Sequence, residues 1–169
     1  SEERRRLTGE WVLMSSFSDF PDIDKMGEKY KEAARLLPGR SEVLRPEEPY
    51  LFGCPSVWFL LHSEAGKADE IAGIFEQALA CYTALTGGQG SGADVLYRGE
   101  LACMRGRLEE AEILAYKAAR IAERARQAAV CFGVALLLGR IAVSRSDRAG
   151  LESAFLYLEQ KAAAFPYMK

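Results

Sequence analysis

An all-α fold, an α-solenoid of about four antiparallel helix pairs, is predicted by a register of 40 residues that runs through the chain. Gly66, Gly106 and Ser146 recur at that interval (106 − 66 and 146 − 106), with Leu61, Leu101 and Ile141 before them and Phe75, Ala115 and Phe155 after them. Each unit reads as an apolar helix, a tight turn at Gly or Ser, and a second helix. A pair this short cannot bury its own apolar face and is stable only when stacked on neighbours. A second observation agrees: no stretch combines period-two alternation with β-branched residues over five or more positions, so strands are not expected.

The elements follow in order. Trp11, Val12, Met14 and Phe17 give an opening helical face that Pro21 closes. Asp22 or Asp24 is placed to cap a second helix carrying Met26, Tyr30, Ala33, Ala34 and Leu37 at three- and four-residue spacing, ended by Pro38-Gly39. The Pro-punctuated stretch 46–55 reads as extended or turn-like. A second pair begins near Ser56, turns at Ala65-Gly66-Lys67 and runs through Ile71, Phe75, Ala78 and Tyr82. Thr86-Gly-Gly-Gln-Gly-Ser-Gly92 breaks it, with Ser91 or Asp94 as the expected cap of the next helix. The third pair covers 95–105 and 108–124, its Glu109, Glu110 and Glu112 suiting the positive end of a helix. The fourth covers 128–145 and 151–164, and Pro166 stops it.

Aligned with the tetratricopeptide pattern, the third unit places Gly99, Ala111 and Ala118 at its small positions, where helices cross at contact distance and a larger side chain would push them apart. Gly139, one unit on, is expected to do the same. The architecture is therefore expected to be tetratricopeptide-like, and 1–169 is read as a single helical-repeat domain.

Composition narrows the function. The net charge is −2, and the 22 basic residues are dispersed apart from Arg4, Arg5 and Arg6, so the footprint of a nucleic-acid-binding surface is missing. No apolar run approaches the ~18 residues of a membrane span, and the first residues, Ser-Glu-Glu-Arg-Arg-Arg, do not read as a secretory signal. A cytoplasmic location is expected. Cys54, Cys81, Cys103 and Cys131 form no CxxC pair, and the last three sit among apolar helical residues as expected buried thiols. The chain begins at Ser and ends in Pro-Tyr-Met-Lys, which reads as a piece of a longer protein.

Motifs for chemistry are weak. The glycine-rich stretch lacks the Lys and the preceding strand of a phosphate loop. His62 is the only histidine, which removes His dyads and multi-histidine metal sites; it sits where the repeat packs an aromatic residue. Glu109, Glu110 and Glu112 point in different directions around a helix. No catalytic residue, metal or cofactor is expected.

The segments Phe52-Gly-Cys-Pro-Ser-Val57, His62-Ser-Glu-Ala-Gly-Lys67, Thr86-Gly-Gly-Gln-Gly-Ser-Gly-Ala93 and Gly106-Arg-Leu-Glu-Glu-Ala-Glu112 resemble the central helical-repeat region of large LuxR-type bacterial transcription regulators of the maltose-regulator kind. That resemblance covers nearly the whole chain. It implies a module for effector sensing or assembly, without the P-loop ATPase and helix-turn-helix parts, so that DNA would be reached only through an absent domain. A free-standing tetratricopeptide adaptor that grips a peptide or protein segment is the rival reading, and a small helical enzyme a remote third.

In tetratricopeptide folds the first helices of each pair line the inner surface. Ser56, Leu60 and Ser63, then Leu96, Glu100 and Cys103, then Leu136, Arg140 and Val143 are the corresponding positions. The expected binding residues are Leu60, Leu96, Glu100 and Arg140, with Trp58 and Tyr97, beside Tyr50, as exposed aromatic walls. Glu100 and Arg140, one unit apart, are either an ion pair between stacked helices or polar anchors of a groove. The expected partner is a small-molecule effector or a protein segment, with self-association also open and no membrane.

Overall fold

The computed structural model describes residues 1–48, 50, 54–61 and 64–164. Among them all regular structure is helical, with no strand. The helices are α1 (Glu2–Ser15), α2 (Ile23–Leu36), α3 (Val57–Leu61), α4 (Ala68–Thr86), α5 (Ala93–Met104), α6 (Leu108–Arg124), α7 (Ala128–Ser144) and α8 (Arg148–Ala164), with a 3-10 turn at Ser16–Asp19. The chain read as one domain divides into two compact units, Ser1–Glu48 with Leu61–Gln89, and Pro49–Leu60 with Gly90–Lys169. Each is described by itself.

In the first unit, α1 is longer than its apolar pattern suggests. The Ser1 hydroxyl accepts from the Arg4 N–H at 3.4 Å, and Glu2 and Glu3 sit in the first turn, where the helix end favours negative charge. Val12 and Leu13 are buried, but Trp11, expected on the packed face, is 69% exposed. Helix α2 starts as expected, Asp22 accepting from the Lys25 N–H at 3.1 Å. Its buried Met26, Tyr30 and Ala33 turn toward α4, with the Tyr30 and Tyr82 rings 5.0 Å apart. At the crossing a Cβ on Gly27 would lie 3.2 Å from that of Ala78, so glycine sets the approach. The buried Glu10 carboxylate accepts from the Ser41 hydroxyl at 2.6 Å and the Glu42 N–H at 2.7 Å, pinning the chain after α2.

In the second unit, α6, α7 and α8 each pack on the helix before, and α7 also touches α5. The three turns between them are built alike. Gly106, Arg126 and Ser146 have φ of 73°, 55° and 55°. At each, the positive-φ residue donates to the carbonyl three back (Cys103, Glu123, Val143), and the next residue donates to the carbonyl five back (Ala102, Ala122, Ala142). That is the Schellman closure, which satisfies the carbonyls left over at a helix end. The interval is 20 residues (126 − 106 and 146 − 126), half the register read from the sequence. Gly66 also sits in a turn, with φ of 84°.

Helix α6 buries Ala111, Ala115, Ala118 and Ala122, spaced by four, three and four. A face of methyl groups lets neighbouring helices approach closely. Gly133 on α7 is tighter still, since a Cβ there would run into the Pro55 carbonyl oxygen and Leu96 Cδ2. A Cβ on Gly99 would lie 2.9 Å from Leu137 Cδ2, which bears out its crossing role; one on Gly139 would meet only Leu151 Cδ1, at 3.6 Å. Gly139 therefore does not repeat the role expected of it. Among the described residues, its only near neighbour is a flexible side chain at ordinary contact distance.

The glycine-rich stretch holds Gly87, Gly88, Gly90 and Gly92 at positive φ, so glycine is needed there for backbone shape. Helix α5 is capped by Gly92, not by a side chain of Ser91 or Asp94. A Cβ on Gly92 would lie 3.0 Å from the Ala118 carbonyl oxygen, so this corner packs directly on α6. No helix among the described residues is long and apolar enough to cross a membrane.

Candidate functional site

Helices α7 and α8 enclose a cavity of about 970 Å³ within the second unit. From α7 it takes Phe132, Leu136, Gly139, Arg140 and Val143, from α8 Leu151, Phe155 and Leu158, and from the loop before α3 Cys54 and Pro55. The spacing on α7 is that of one helical face, and Leu151, Phe155 and Leu158 (four, then three) are one face of α8. Leu136 is 42%, Phe155 59% and Val143 64% exposed, so the apolar walls open to solvent. Among the described residues, Arg140 is the only charged one in the lining. It is half-buried, and one Nη donates to Met104 Sδ at 3.1 Å, a weak acceptor.

Of the six expected binding residues, Leu60, Leu96, Glu100, Arg140, Trp58 and Tyr97, Arg140 alone lines this groove. Leu60 and Trp58 are half-buried on α3, Tyr50 is half-buried against Gly90, and Leu96 and Tyr97 are fully buried. Tyr97 thus belongs to the core of the unit and forms no exposed wall. Ser56 is buried, its hydroxyl accepting from the Phe59 N–H at 3.2 Å as the cap of α3. Leu136 and Val143 are exposed and on the groove, as their register position implies. His62 and Ser63 lie outside the described residues.

Glu100 is 1% exposed and turns to α3, Oε2 accepting from the Trp58 N–H at 2.7 Å. Burial pushes its carboxyl up from the usual 4.5, against the pull of the bonds from Ser56, Trp58 and Val57 and of the more distant Arg140 charge. The expected Glu100–Arg140 contact is not made. Glu100 serves as a side-chain cap supplied to α3 from another helix, which costs less than leaving a buried carboxylate unpaired.

The large apolar cavity residues Phe132, Leu151, Phe155 and Leu158 have no counterpart among the expected ones. The second helix of each pair was expected to face away from a binding surface. A signal was present in the register: Ala111, Ala115 and Ala118 of α6 become Leu151, Phe155 and Leu158 one unit later, small residues giving way to large ones at matched positions.

Other polar groups are already engaged. Tyr157 donates to Glu123 at 3.1 Å, Lys161 pairs with Glu123 at 2.5 Å, and burial raises both the Tyr157 hydroxyl and the Cys131 thiol beside it. A thiol held up in this way is a poor nucleophile. Of the cysteines expected in the core, Cys131 is buried while Cys81 and Cys103 are half-buried. A smaller cavity of about 540 Å³ on the other side of α8 is crossed by Arg145, paired with Glu112 at 2.6 Å. Among the described residues, no three His, Cys, Asp or Glu side chains come together as a metal site. The apolar groove is thus the candidate site.

Comparison of the chain with known protein families, curated proteins and solved structures found no match.

Proposed function

We propose that this chain is a recognition module of tetratricopeptide-like helix pairs without catalytic activity, and that the α7–α8 groove is where it binds. One observation carries the reading: an open cavity of about 970 Å³ with apolar walls and, among the described residues, a single charge. Cavities of ~300–1,000 Å³ lined by apolar side chains with few polar groups are the usual form of a ligand site. A soluble helical module gains nothing in stability from holding Leu136, Val143 and Phe155 in water.

The three alike turns support stacked helix pairs in the second unit. The sequence resemblance adds the setting, a cytoplasmic sensing or assembly module of a LuxR-type transcription regulator whose DNA contacts are made by other domains. The test is a thermal-shift screen of metabolites and peptides run in parallel on the wild type and on Phe155→Glu. Ligands that raise Tm only in the wild type support the groove; ligands that stabilise both equally place binding elsewhere.

A further inference from the structure

We infer that the ligand of the α7–α8 groove is an amphipathic organic anion, an apolar chain or ring system ending in a carboxylate that pairs with Arg140. This rests on the reading of the groove as the binding site and adds the class of molecule it takes.

Two features select that class. First, the walls are wide and apolar. From Ala129 to Arg140 the groove follows α7 for about 16 Å at 1.5 Å per residue, the reach of an extended medium-length aliphatic chain. Phe132, Leu136, Leu151 and Phe155 supply contact area and no hydrogen-bonding group, so a sugar or a charged peptide would lose its water there without replacement bonds.

Second, the one charge in the described lining is a cation with donors to spare. Arg140 has five N–H groups and gives one to a thioether sulfur. Its neighbour in charge, Glu100, directs Oε2 to the Trp58 N–H and takes further bonds from Ser56 and Val57. The carboxylate nearest in register is thus spent on α3, and the guanidinium keeps its planar fork for an acceptor from outside, which a carboxylate matches with two parallel bonds. The half-burial of Arg140 among aliphatic groups strengthens such a pair relative to an exposed one.

The experiment is isothermal titration of the full chain with decanoate and with decan-1-ol, which share the tail and differ in charge. The wild type is expected to bind decanoate roughly five- to tenfold more tightly than the alcohol. Arg140→Gln should erase the difference while keeping alcohol binding, and Arg140→Lys should restore part of it. Equal affinity for both molecules in the wild type, or an anion preference that survives Arg140→Gln, overturns the inference and leaves the groove standing. Binding of neither molecule overturns the inference and the groove reading together.

Discussion

Glu100 on α5 holds the start of α3: its Oε2 accepts from the backbone N–H of Trp58 at 2.7 Å while the residue is almost wholly shielded from water. A charged group buried for a capping bond makes stability depend on pH in a direction opposite to that of a surface carboxylate. Its folded pKa is raised above the ordinary 4.5, so the folded state takes up a proton more readily than the unfolded chain. Its contribution is most favourable below 4.5 and declines as pH rises toward the folded value. Asp22, Glu28 and Glu123, lowered by hydrogen bonds from Lys25, Lys31 and Lys161, run the other way. The stability of wild type minus that of Glu100→Gln, from urea melts between pH 4 and 8, should therefore fall as pH rises; a difference that stays flat or grows refutes the account of Glu100.

Gly99 and Gly139 occupy matched positions with different surroundings, which separates crossing from propensity. Gly99→Ala should destabilise, since its Cβ would lie 2.9 Å from Leu137 Cδ2 and 3.3 Å from Leu114 Cβ, and overpacking of this kind costs ~1–3 kcal/mol. Gly139→Ala should stabilise by about 0.5–1 kcal/mol, because the methyl finds only ordinary contact while the helix gains alanine's propensity. Chemical denaturation of both variants decides it. Similar changes in the two would mean that Gly139 is as closely packed as Gly99.

The three Schellman turns predict a graded effect of residue type. Gly106→Ala should cost about 1 kcal/mol although no heavy atom lies within 4 Å of its Cβ position, since the cost is that of a left-handed backbone. Ser146→Gly should be neutral or stabilising by up to about 1 kcal/mol for the same reason. Thermal melts of the two, compared with wild type, should shift in opposite directions or leave Ser146→Gly unchanged.

Much of this fold was legible because backbone requirements leave marks in the sequence. Pro21, Asp22 and Pro38 bounded α2, and Gly66 and Gly106 marked turns because only the left-handed conformation reverses the chain so tightly. The half-interval was harder to see. Arg126 occupies a left-handed turn position without being glycine, so nothing in its side chain announced the turn, although Ala102, Ala122 and Ala142 recur at 20 residues beneath all three.

The cavity was legible in its α7 face, where the register placed Leu136, Arg140 and Val143. Arg140 lines the cavity, but Leu96, Tyr97 and Glu100, expected beside it, lie inside the unit, because α7 packs against α5 and covers that face. Register identifies equivalent positions, yet burial differs between a helix with a neighbour stacked on it and one without. Leu136 and Leu96 are the same position in successive units, one 42% exposed and the other fully buried.

The surface character of the groove predicts a separation of stability from binding. Leu136→Ser and Phe155→Ser should change folding stability by no more than about 0.5 kcal/mol, as exposed substitutions do, while weakening the uptake of decan-1-ol several-fold. Ile113→Ser, at a still more exposed apolar residue of α6 outside the cavity, should alter neither. Loss of affinity in the Ile113 variant would point to a general apolar stickiness in place of a site.

The most direct measurement is a map of backbone amide shifts in the 15N-labelled chain titrated with decan-1-ol, which needs only apolar walls and makes no use of the Arg140 charge. Binding in the groove predicts saturable shifts concentrated at Phe132, Leu136, Gly139, Val143, Leu151 and Phe155. Shifts that gather at the glycine-rich stretch 87–92, or that never saturate and spread over all exposed apolar residues, would contradict a recognition site between α7 and α8.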